Sequence, residues 1–123
     1  MSADELSIAP IDNRTSRQPG ESVEFSALWA LQKPPASVEA RLFWSTRGKG
    51  TEDVEVIATL RVPSPAPAGE HVFRFELPLS PYSFSGRLIS LTWAVELIAG
   101  RASARCEFIV APDGREIVLA ETK

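Results

Sequence analysis

Apolar and polar residues alternate with a period of two along most of the chain. This pattern predicts β-strands, because successive side chains of a strand point to opposite faces of a sheet. The six clearest alternating stretches are residues 22–31, 37–45, 54–62, 73–77, 89–97 and 102–110. Weaker strands are predicted at 6–11 and 116–119. The chain is therefore expected to be all-β, with about eight strands.

Each predicted strand has one mainly apolar face, which is typical of antiparallel sheets stacked on a shared core. We therefore predict a two-sheet antiparallel immunoglobulin-like β-sandwich that forms a single domain over residues 1–123. Trp29, Trp44 and Trp93 all fall in the apolar phase of their strands and are expected in the core. The apolar residues of 54–62, which begin with Val54 and Val56, are expected there too.

One segment could be read as a helix. The sequence AVELIAGRASARCEF at 94–108 contains good helix formers, but Gly100 lies in its middle. Alternation also continues on both sides of Ala99 and Gly100. We therefore predict two strands joined by a tight hairpin at this point.

Composition and charge narrow the class of protein. The chain has 123 residues, of which 44% are hydrophobic, and its net charge is −3. It carries no basic excess that would favour nucleic acid or an anionic membrane surface. It also has no apolar run long enough to span a membrane and no signal peptide at its start. Its single cysteine, Cys106, cannot form an internal disulfide, which fits a reducing compartment. Because the chain begins with Met and ends in the polar sequence ETK, it is expected to be a complete small cytoplasmic protein.

Residues that could carry catalysis or bind a metal are few. His71 is the only histidine, it lies in phase with Phe73 at a strand start, and it is expected to be partly buried at a sheet edge. Cys106 shares an apolar face with Phe108 and is expected to be a small buried hydrophobe. No spacing matches a zinc site or a nucleophile turn. The sequence therefore predicts no catalytic residues, no metal and no cofactor.

Two loops are the candidate interaction sites. The first is the hairpin tip RGKGTED at 47–53, where Arg47 and Lys49 could meet an acidic partner. The second is the proline-punctuated segment LPLSPYSFSG at 77–86, which carries Tyr82 and Phe84. Both also have an ordinary structural interpretation, as a solvated hairpin tip and as a lid over the end of the sandwich. Under the lid interpretation Phe84 packs on the core, and Tyr82 remains available to a partner.

The segment FRFELPLSPYSFSGRLISLTWAVEL at 73–97 resembles the arrestin fold family. The resemblance rests on a strand that ends in Leu-Pro, a P-x-S-aromatic-x-G loop, and an alternating strand that leads to tryptophan. Upstream, QPGESVEF at 18–25 resembles the family's P-G-E/D-x-V motif. Proteins of this family usually have two such lobes, whereas this chain has room for one, similar to an arrestin N-terminal lobe. The resemblance implies a scaffold without catalysis or cofactor.

A single lobe would leave a sheet edge free, and a free edge favours strand addition by a protein partner or a homodimer. The leading hypothesis is therefore a non-catalytic protein-interaction or scaffold domain with an unknown protein partner. The alternative is a small-ligand or carbohydrate-binding β-sandwich, in which exposed tryptophans would line a groove. A third hypothesis is an enzyme that uses His71.

Overall fold

The computed structural model describes residues 4–48, 51–86, 89–112 and 117–118, which form ten β-strands and no helix. The strands are β1 (Glu5–Pro10), β2 (Ser16–Arg17), β3 (Ser22–Ala30), β4 (Ser37–Gly48), β5 (Thr51–Pro63), β6 (Ala68–Glu76), β7 (Phe84–Ser85), β8 (Ile89–Ala99), β9 (Ala102–Val110) and β10 (Ile117–Val118). The part of the chain that the structure describes therefore contains no helix that could cross a membrane.

The strands form two sheets that face each other. The small sheet is antiparallel and has the order β1-β3-β6. The large sheet has β5, β4 and β8 side by side, all antiparallel. The other edge of β8 pairs with β9 along most of its length and with β7 near its start. This arrangement confirms the predicted two-sheet β-sandwich.

Two of the ten strands, β2 and β7, were not predicted. Each is two residues long, so neither can show alternation in the sequence. They also add parallel pairings to a mainly antiparallel fold, because β2 runs parallel to β9 and β10 runs parallel to β7. β6 spans Ala68–Glu76 and so begins five residues before the strand predicted at 73–77.

The core lies between the two sheets and is rich in aromatic rings. Phe25 of the small sheet contacts Phe75 edge-on, with centroids 6.2 Å apart, and reaches Phe108 of the large sheet at 5.7 Å. Trp93 is fully buried and lies 6.5 Å from Phe108. Trp29 is also buried, as predicted, whereas Trp44 is only half-buried at the margin of the core.

The hairpin at Gly100 is confirmed. Ala99 pairs with Ala102, which leaves a two-residue turn, and Gly100 adopts a φ of +60°. Glycine adopts this left-handed conformation without the steric cost that a side chain would add. The helix formers of this segment are thus in strands β8 and β9, because their alternation buries one face of each against the core.

The interpretation of residues 54–62 was wrong in one respect. Val54 and Val56 are 57% and 49% exposed, not buried. The cause is a β-bulge: Leu42 pairs with Ala58, but its neighbour Phe43 pairs with Val56, so Ile57 is an extra residue on β5. An extra residue reverses the alternation, so side chains before and after the bulge that would have shared a face lie on opposite faces of the sheet. The apolar phase of the first half of β5 therefore points away from the core.

Candidate interaction surface

The exposed edge of the large sheet is formed by β5, a strand of 13 residues. Within the described chain β4 is its only strand neighbour, so the far side of β5 offers unpaired backbone N–H and C=O groups. Four of its large apolar side chains are exposed: Val54, Val56, Ile57 and Leu60. We call residues 52–62 the β5 edge. Natural proteins usually protect a sheet edge by keeping it short, by placing charges on it or by covering it.

The first half of the β5 edge has two chemically different faces. Val54 and Val56 lie opposite Ser45 and Phe43, on the outer face of the sheet. Asp53 and Glu55 lie opposite Thr46 and Trp44, on the face that turns towards the small sheet. Because paired residues of neighbouring strands share a face, residues 53–56 present valines to one side and carboxylates to the other.

The apolar strip of the outer face continues from Val56 into the sheet. Phe43 lies beside Val56 on β4, is buried, and yet is not part of the core between the sheets. It is covered by the guanidinium of Arg105, whose Cζ lies 5.0 Å from the ring centroid, which is a cation–π geometry. Glu107 holds Arg105 at 3.2 Å. The exposed valines are therefore the margin of a structured apolar strip.

The charges of β5 are unevenly distributed along the strand. Near its end, Arg61 donates to the Glu39 carboxylate at 2.9 Å, and Arg41 donates to the same carboxylate at 3.0 Å. The hydrogen bond from Arg61, with help from Arg41, holds the pKa of Glu39 below its usual range. Near its start, Glu52, Asp53 and Glu55 are exposed and form no ion pair with another described residue. The cation of β5 is thus occupied, whereas its three carboxylates are open to solvent.

Two of the three residues predicted for interaction, Arg47 and Tyr82, lie near one end of the large sheet. Arg47 is exposed near the end of β4, where it pairs with Glu52 on one side and Ser90 on the other. Ser90 also pairs with Ser85 of β7, so this row connects Arg47 to the end of the aromatic loop. Tyr82 lies in that loop and is 38% exposed. Lys49 lies outside the described residues.

The aromatic loop at 77–86 is built into the core. The Trp93 indole N–H donates to the Pro81 carbonyl at 2.9 Å. Ser83 is 1% exposed, its N–H donates to the Val110 carbonyl at 2.7 Å, and its hydroxyl oxygen accepts from the Val110 N–H at 2.9 Å. Phe84 is half-buried and packs on the core. These contacts support the lid interpretation, with Ser83 as a bridge that the sequence did not indicate.

A buried charge was missed by the sequence interpretation. Arg17 is 3% exposed in β2 and donates to both oxygens of Asp12, and to Glu21 at 3.0 Å. The hydrogen bond from Arg17 lowers the pKa of Asp12. Burial acts to raise the pKa of Glu21, but hydrogen bonds from Arg17 and the Gln18 amide outweigh it and lower this pKa as well. The carboxylates near β2 therefore neutralise Arg17 and fix the short strand against β9.

The two residues weighed for catalysis lie apart from this surface. His71 is exposed, not partly buried as expected, because β6 is an edge strand of the small sheet. Its ring packs edge-on against Phe73 at 4.7 Å. Cys106 is half-buried beside Val95, and burial raises the pKa of its thiol. Among the described residues, no three His, Cys, Asp or Glu side chains converge as a metal site would require.

Comparison with known proteins identifies the fold. No protein-family model and no curated protein sequence matches the chain. Its structure is similar to Spo0M, a sporulation control protein from Bacillus subtilis, with a TM-score of 0.60 and 18% identity over 89% of this chain. The match covers 50% of Spo0M, so the chain spans about half its length. A β-glucosidase from Listeria innocua, solved with isofagomine, matches with a TM-score of 0.50 and 15% identity, over 93% of this chain but 16% of the enzyme. At these identities the similarity shows the fold alone, which is an arrestin-like, immunoglobulin-like β-sandwich.

Proposed function

We propose that this chain is a non-catalytic protein-interaction domain that binds an extended segment of a protein partner along the β5 edge. The observation that carries the proposal is the strand β5 itself, which has 13 residues, one side without a strand neighbour in the described chain, and four exposed apolar side chains. An extended peptide that adds a strand gains main-chain hydrogen bonds from the edge and side-chain contacts from both faces. The β5 edge provides both.

Two observations away from the β5 edge also support the scaffold interpretation. Spo0M is described as a control protein, and a fold of this kind holds interaction surfaces on a rigid core. His71, the candidate base, contacts Phe73 by its ring edge, and no hydrogen bond joins it to a nucleophile or carboxylate among the described residues. In this proposal the chain works as a single β-sandwich domain over residues 1–123, in the cytoplasm, without cofactor. A homodimer through β5 is one form the interaction could take.

The alternative, a carbohydrate-binding sandwich, is less well supported. Such a site would stack sugars on exposed aromatic rings along one face of a sheet. Trp29 and Trp93 are instead buried, and the indole N–H of each is used by a backbone carbonyl, that of Ala66 and of Pro81. Trp44 is half-buried against the core. None of the three tryptophans is placed as a sugar platform.

Site-specific photocrosslinking tests the proposed function. A benzophenone amino acid at Val56 is expected to crosslink one identifiable protein in the cells that encode this chain, and the same probe at Val72 is the matched control. Val72 is similarly exposed, on the edge strand β6 of the other sheet. Val54→Arg, with the probe kept at position 56, should abolish the crosslink without loss of folding, because surface substitutions cost little stability. A crosslinked protein that is equally abundant from both positions, or that persists with the arginine, would contradict the proposal.

A further inference from the structure

We infer that the segment bound by residues 53–56 of the β5 edge is an extended strand of another protein in which apolar residues alternate with lysine or arginine. This inference rests on the proposed function and specifies the chemistry of the partner. It comes from the alternation of residues 53–56, which puts valines and carboxylates on opposite faces, and from the bulge at Ile57, which turns the valines to the outer face.

The faces of an added strand must match those of β5. A residue placed opposite Val54 or Val56 joins the outer face, next to the apolar strip that continues into Phe43. The residues before and after it in the added strand lie opposite Asp53 and Glu55, on the other face. Cross-strand pairs are most favourable when apolar meets apolar and opposite charges meet. The matching segment is therefore apolar towards one face and cationic towards the other, with a period of two.

Asp53 and Glu55 have no cationic partner among the residues that the structure describes. Asp53 and Glu55 are two residues apart on one face, a separation of about 7 Å, so they repel each other. The cation of the same strand, Arg61, is already bound to Glu39. A lysine or arginine on the added strand would neutralise this repulsion at the position where main-chain pairing places it. Such charges add selectivity for the partner as well as attraction.

A second copy of the chain fits the first half of β5 less well. An antiparallel β5–β5 pairing that keeps both faces matched and sets the first half against the second would place Asp53 and Glu55 opposite apolar residues, for example Val62 and Leu60. Pairings centred within residues 53–55 would place carboxylates against carboxylates. Like charges directly opposite each other destabilise a strand pair. The charge pattern therefore favours a different protein over self-association.

Peptide binding tests this chemistry directly. A fluorescein-labelled seven-residue peptide with alternating lysine and valine is titrated with the full chain, and binding is read by fluorescence anisotropy. The peptide should bind, whereas one with glutamate in place of lysine should not. A peptide of the same composition with its lysines and valines in two blocks should bind at least about tenfold more weakly, because its side chains cannot match both faces.

Variants of the chain test where on its surface the alternating peptide binds. Asp53→Lys with Glu55→Lys should weaken binding of the alternating peptide by at least about tenfold. The matched control is Glu70→Lys with Glu76→Lys, which makes the same charge change on exposed residues of the edge strand β6. Asp53→Asn with Glu55→Asn removes charge without reversing it and should give an intermediate loss. Circular dichroism is used as a control to check that every variant is folded.

The outcomes separate this inference from the proposed function. Equal binding of the block peptide, or equal loss in the β6 control, would overturn the inference, because binding would then follow net charge and not alternation. A Val56 crosslink to an uncharged or acidic segment, or to a second copy of this chain, would overturn it too while leaving interaction at the β5 edge intact. Absence of any crosslink specific to Val56 would overturn the proposed function, whatever the peptides do.

Discussion

Replacement of Ser83 by alanine tests whether the aromatic loop is part of the core. Ser83 and Val110 are both fully buried, and the hydroxyl of Ser83 accepts the Val110 N–H at 2.9 Å. Alanine removes this acceptor and leaves a buried backbone donor unpaired. An unsatisfied buried donor costs about 1–3 kcal/mol. The Ser83 N–H bond to the Val110 carbonyl remains, so the loop is expected to stay in place and the loss to be no larger than this.

Urea unfolding followed by tryptophan fluorescence measures the change in the free energy of unfolding. For a domain of this size a loss of about 1–3 kcal/mol corresponds to a melting temperature about 3–10 °C lower. The matched control is Ser85→Ala, since Ser85 is half-buried in β7 and its hydroxyl makes no hydrogen bond to the described residues. If Ser83→Ala were as stable as Ser85→Ala, the bridge to Val110 would not support the fold. The loop would then return as a candidate binding site.

Three further predictions concern the core and its margin. Phe84→Ala should lower the melting temperature more than Tyr82→Ala, because Phe84 packs on the core and Tyr82 is exposed; equal effects in a thermal melt would refute the lid interpretation. Gly69→Ala should destabilise the fold by about 1–3 kcal/mol in urea, because its Cβ would lie 2.8 Å from the ring of Trp29; unchanged stability would contradict this close packing. The carboxylates of Asp12 and Glu21 bind Arg17, and their pKa values are lowered in the folded state. The stability that they give the fold is therefore present above their unfolded pKa values near 4, and it is lost as the pH falls through their folded values. Urea midpoints measured from pH 7 down to pH 3 should therefore fall less steeply in Arg17→Met than in the unsubstituted chain, and equal slopes would count against the network.

The sequence predicted the long strands because alternation is a direct consequence of strand geometry. The pattern of β3 identified its buried face correctly, including Phe25 and Trp29. The pairing of β8 with β9 around Gly100 followed from the same signal. These strands form because one face of each is buried, and the pattern of that face can be read from a single sequence.

The features that define the candidate site depend on contacts between strands. The bulge at Ile57 is a mismatch between β4 and β5, and its only sign in the sequence is the short apolar run at 56–58, which does not by itself indicate a bulge. Burial of Arg17 likewise depends on β2 pairing with β9, which two residues cannot signal. Edge position could not be predicted either, because it depends on strand order. The sequence therefore pointed to Arg47, Lys49 and Tyr82, and not to the β5 edge.

Hydrogen–deuterium exchange of β5 with and without the partner segment identified by crosslinking at Val56 tests the central claim most directly. Strand addition would engage the unpaired backbone amides of the β5 edge, so exchange within residues 52–56 should slow when the segment is bound. The amides of β6, the edge strand of the other sheet, should exchange at unchanged rates. Unchanged exchange across β5, with protection confined to the aromatic loop at 77–86, would contradict the claim that this chain binds its partner along the β5 edge.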